Sequence, residues 1–148
     1  MKFAASILLW FSLAVACGED GLKDRFDLCS DATKAEEQAT WDVYDAFCEL
    51  GHEPTCCVVF VHSPDYLMPT GVTWQEYPST HPVDPRNQAE GFRGLYSPTS
   101  HTVYVRTYGE AEGYLIPLLI HELAHSVGFR HGEAMKQFER QVKEQMQG

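Results

Sequence analysis

Apolar residues recur at Trp41, Val43, Tyr44, Phe47 and Leu50. This spacing predicts a helix with one face in a core, expected from Ser30 to Leu50. Ser30 or Asp31 can cap it, Thr33 and Glu36 stand at capping-box spacing, and Gly51 stops it. Cys57 to His62 reads C-V-V-F-V-H, a short β-branched run that predicts a buried strand. Two more strands are expected at Phe92 to Tyr96 and Thr102 to Tyr108. Alternation in the second puts Val103 and Val105 on one face, and Tyr104 and Arg106 on the other. A second helix is expected around Leu118, Leu119, Ile120, Leu123, Ala124 and Val127, with Pro117 in its first turn and Glu110 and Glu112 upstream of its positive end. A third runs from Glu133 to Met146, with Met135, Phe138, Val142 and Met146 on one side. Between the first strand and the later pair, Pro64, Pro69, Pro78, Pro82 and Pro85 break regular structure from Ser63 to Gly94. A loop of that length in a small domain is commonly a lid or binding segment, and Tyr66, Trp74, Tyr77 and Phe92 are its expected anchors. The fold class expected is α+β: an N-terminal helix, a small mostly antiparallel sheet, a site helix and a short C-terminal helix, forming one domain over residues 30–148.

The site helix carries the chemistry. His121 and His125 stand four apart, one turn of helix on one face, with Glu122 beside the first. Gly128 and His131 follow, completing H-E-x-x-H-x-x-G-x-x-H. Zinc takes imidazole nitrogen at roughly 2.0–2.1 Å, and catalytic sites use three protein ligands. Two histidines come from the helix face. Gly128 can adopt the left-handed conformation that turns the chain back and brings His131 to the same ion. Glu122 is placed to take a proton from a water as general base. The expected cofactor is therefore one zinc ion on His121, His125 and His131. The competing reading is a chance pattern on a helix face.

These residues resemble the zincin metallopeptidases, and their spacing matches the metzincin signature. Metzincins place a Met-turn well downstream of the third histidine. Here 17 residues follow His131, and Met135 falls within the last helix. The C-terminal end is more similar to compact SprT-like peptidases, in which a short helix follows the third ligand. The resemblance implies a zinc peptidase acting on proteins or peptides, with Glu122 as catalytic base. It also implies that the strand before the site helix is a sheet edge that pairs with extended substrate, making Thr102 to Tyr108 the candidate. Tyr108, Tyr114 and Arg130 are candidates for a second transition-state stabiliser. A rival function is a non-catalytic zinc-containing surface module that binds a partner through the proline-rich loop.

The N-terminus bears on location. Lys2, the apolar run Phe3 to Val15 and the small residues Ala14-Val15-Ala16 read as an export signal over residues 1–16. Cys17 follows in a sequence that resembles a bacterial lipoprotein box, so lipidation of Cys17 at a cell envelope is expected, with plain secretion as the alternative. Residues 17–29 read as a tether. The only membrane contact expected is through that anchor, and the protein is read as a monomer. All 21 acidic residues lie beyond the signal, which holds one of the 11 basic ones, so export leaves a chain more acidic than its net −10. That argues against nucleic acid as a partner, which requires a basic face. Cys29, Cys48, Cys56 and Cys57 remain, an even number in an exported chain. Two disulfides are expected, with Cys56 and Cys57 each reaching one of Cys29 and Cys48.

Overall fold

The computed structural model describes residues 26–80, 93–111 and 113–148. The expected signal, Cys17, Pro82, Pro85, Phe92 and Glu112 lie outside these described residues. Eight elements follow in order: β1 (Asp27–Leu28), α1 (Lys34–Glu49), β2 (Cys57–Val61), α2 (Tyr77–Thr80), β3 (Gly94–Ser97), β4 (Thr102–Arg106), α3 (Leu115–Ser126) and α4 (Glu133–Gln147). The class is α+β, and the sheet order is β1-β2-β4-β3.

The sheet corrects one expectation. Among the described strands it is mixed rather than mostly antiparallel: β1 and β4 both pair parallel to β2, and β3 and β4 pair antiparallel. Parallel strands need a crossover connection between them. Helix α1 supplies one, and the long segment from Ser63 to Gly94 contributes to the other. A second correction follows. The strand just before the site helix, β4, lies between β2 and β3 and is not an edge; among the described strands the sheet ends at β3 on that side and at β1 on the other. Residues 26–29, expected to close a tether, belong to the fold, and the rest of that expected segment lies outside the described residues. Phe26 is buried beside Trp41 and Tyr44, and Asp27–Leu28 already pair with β2.

Alternation along the strands sorts side chains to two layers. Val58, Phe60, Val103 and Val105 face α1, α3 and α4, packing with Val43, Phe47, Leu119, Ile120, Leu123 and Phe138. Val59, Val61 and Tyr104 face the other way, under Met68 and fully buried Trp74 from the proline-rich segment. Tyr66 and Tyr77 pack there too, so the described part of that segment forms the second cover of the sheet.

Helix α1 starts at Thr33, whose side chain accepts from the Glu36 amide while the Glu36 carboxylate accepts from the Thr33 amide, a complete capping box. Ser30 does not cap it; its hydroxyl accepts from the Phe60 amide instead. His62, at the end of β2, binds the same Glu36 carboxylate at 2.9 Å.

The cysteine pairing also differs from expectation. Cys29 bonds Cys57, but Cys56 is a free, buried thiol. Consecutive side chains of an extended chain point to opposite sides. One of the adjacent pair can meet Cys29 only if the other enters the core. Cys48 is itself disulfide-bonded, but to neither Cys56 nor Cys57. Among the described residues, no helix is long and apolar enough to cross a membrane.

Candidate metal centre

Helix α3 is anchored by Leu119, Ile120, Leu123 and Ala124, all fully buried. Pro117 sits in its first turn as expected. Glu110, expected to favour the helix N-terminus, instead pairs with Arg106 and Arg93. The helix ends at Ser126 with Val127 as its C-cap, and Gly128 takes φ +104, in the left-handed region that favours glycine. The amide of Phe129 then donates back to the Ala124 carbonyl at 3.0 Å. This reversal returns the chain along the helix and brings His131 over His121 and His125.

The three ring nitrogens converge. Nε2 of His131 lies 3.2 Å from Nε2 of His121 and 3.2 Å from Nε2 of His125. The outer nitrogens are tied elsewhere. Nδ1 of His121 donates to Glu139 Oε2 at 2.8 Å, and Nδ1 of His125 donates to the Phe129 carbonyl at 2.9 Å. With both Nδ1 protonated, the Nε2 atoms of His121 and His125 present lone pairs to His131. Burial pushes the His125 pKa down, which favours the neutral ring a metal requires. Around a tetrahedral zinc ion, nitrogens at about 2.0–2.1 Å from the metal lie about 3.3 Å apart. The two separations to His131 fit that geometry. The described residues thus bring together all three expected ligands in a group that can hold a metal.

Glu122 follows His121 on the same helix and is buried. Burial pushes its carboxyl up to about 8, and the charge of Glu139 adds to the rise. A bound dication would oppose both and favour the carboxylate. Strand β3 sits directly over it. A Cβ built on Gly94 would fall 2.6 Å from Glu122 Oε2 and 2.9 Å from its Cδ. Glycine at 94 is therefore what lets the edge strand and the carboxylate share this space. Gly94→Ala should move the Glu122 carboxylate, because the added methyl meets that side chain first. Any hydrolysis that depends on Glu122 should then fall by about 10²-fold, the scale of a misplaced reacting group, with metal uptake by the three histidines unchanged. Unchanged turnover in a zinc-loaded Gly94→Ala protein would refute this reading of the strand.

Of the candidate stabilisers, Tyr114 accepts a hydrogen bond from Arg93, the residue next to Gly94, at 2.7 Å. Tyr108 packs under the Arg106 guanidinium, and Arg130 is exposed. Sequence reasoning missed both Gly94 and Glu139. Neither carries a local signal, because each meets the site only through the fold. Compared with family models, curated proteins and solved structures, the chain matches none.

Proposed function

We propose that the protein is an exported zinc-dependent peptidase that hydrolyses peptide bonds of proteins or peptides. The observation that carries this is the convergence of three imidazole Nε2 atoms, two of them from the helix that also carries a buried carboxyl group, Glu122. A cluster of imidazoles alone would serve a structural or binding role. A carboxyl group held dry on the same helix adds a proton acceptor, which a binding module does not need. Zinc in this site would supply Lewis-acid polarisation of a carbonyl and acidification of a water. Glu122 takes the proton of the attacking water on its carboxylate and returns it to the departing amine. Strand β3 ends the sheet among the described strands and passes over Glu122 at Gly94. An extended peptide adding to that edge is delivered to the carboxylate without further movement. The disulfides support export, since such bonds persist in oxidising compartments. The acidic surface favours protein or peptide substrates over nucleic acid.

Metal analysis and cleavage of denatured casein on the same purified protein test the reading. One zinc per chain is expected, with cleavage lost to a chelator and restored by zinc. Zinc without cleavage of casein or a broad peptide library would favour the binding module. Folded protein that takes up no zinc would sink both.

A further inference from the structure

We propose that Glu139 is a positioning residue of the metal centre, which makes the C-terminal helix α4 a structural part of that centre. The inference rests on the zinc reading above.

A carboxylate only accepts, so Glu139 fixes the proton of His121 on Nδ1 and leaves the Nε2 lone pair toward His131. It also holds the orientation of that ring as a ligand. The Phe129 carbonyl does the same for His125 with a weaker, neutral acceptor. The two acceptors are not independent. The Phe129 ring stacks on Phe138 at 4.3 Å and 11° between planes, and Phe138 is the neighbour of Glu139. Phe138 is buried, with Phe47 edge-on at 5.0 Å and His52 at 4.8 Å. One aromatic stack thus places the acceptor of His121 and the acceptor of His125 together. The bland reading is an ordinary surface ion pair, since His121 and Glu139 keep 33% and 21% of their side-chain surface. Such a pair would leave metal affinity alone.

The test measures zinc affinity by chelator competition on the full chain as parent, Glu139→Gln, Glu139→Ala and the outer-face control Glu144→Gln. Long-range ¹H–¹⁵N NMR of the metal-free proteins reads the His121 tautomer. Glu139→Ala should bind zinc about 10–100-fold more weakly and lose the fixed Nδ1–H tautomer. Glu139→Gln keeps an acceptor and should recover part of the affinity; Glu144→Gln should match the parent. Circular dichroism identifies any variant that fails to fold, and the glutamine variant, of equal size, then carries the comparison. Parent-like affinity and an unchanged tautomer in Glu139→Ala would overturn the role. A folded parent that takes up no zinc would overturn the metal centre itself, and this role with it.

Discussion

Replacing Glu122 by glutamine should lower peptide-bond hydrolysis by about 10²–10⁴-fold, the share a positioned general base supplies. Zinc content should stay at the parent's level, because the three histidine nitrogens are untouched. A second signature comes from stability. Burial holds the Glu122 carboxyl at about 8 in the metal-free protein. In an unfolded chain a glutamate titrates near about 4.3. The folded value lies above the unfolded one, so its contribution is fully present below about pH 4.3 and is lost as pH rises through about 8. The metal-free parent should therefore weaken across that window. Metal-free Glu122→Gln should not, and at pH 8 it should be the more stable by a few kcal/mol. Urea midpoints at pH 4 and pH 8 check this. A glutamine variant that hydrolyses peptides at the parent's rate would remove Glu122 from the mechanism. Parallel pH curves would mean that its burial carries no cost.

Truncating Phe138 to alanine should cost about 3–5 kcal/mol of stability, as for other large aromatic side chains removed from a core. The ring packs against Phe47, His52 and Phe129 and is almost fully buried. The distinctive expectation is a second loss, in zinc affinity, because the same ring holds Phe129 and the turn of α4 that carries Glu139. Val142→Ala is the comparison. Val142 is buried in the same helix, one turn further on, and has no part in the stack. It should lose stability with little change in affinity. Denaturant unfolding paired with zinc titration separates the two. Equal affinities for both variants would mean that α4 only covers the core.

The histidine cluster was legible because it is local. His121, Glu122, His125 and His131 fall within one helix and one glycine turn, so spacing alone places them. The helix periods of α1 and α4 were legible for the same reason. The sheet was not. Its pairings join Asp27 to Cys57 and Cys57 to Thr102, and nothing in a strand's own residues states which distant strand it meets, or in which direction. β1, two residues long, carries no pattern at all. Glu139 was hidden differently: on a helix it is one acidic residue among several, like Glu133 and Glu144, until the turn at Gly128 brings His121 beneath it. Gly94 gave no signal, because what it avoids is a side chain 28 positions away.

The neighbouring cysteines have a consequence for how the chain reaches this state. The Cys29–Cys57 bond closes a 28-residue separation at the β1–β2 junction, where Leu28 meets Val58. A bond from Cys29 to Cys56 would draw β2 along by one residue. A one-residue slip exchanges the two faces of a strand, so Val58 and Phe60 would trade places with Val59 and Val61. The native arrangement makes that exchange slow. Burial pushes the Cys56 thiol up to about 11, which keeps the attacking thiolate scarce. During maturation the choice between two adjacent sulfurs is thus a choice of sheet register, and the hydrophobic layer that closes over Cys56 locks the correct isomer in place.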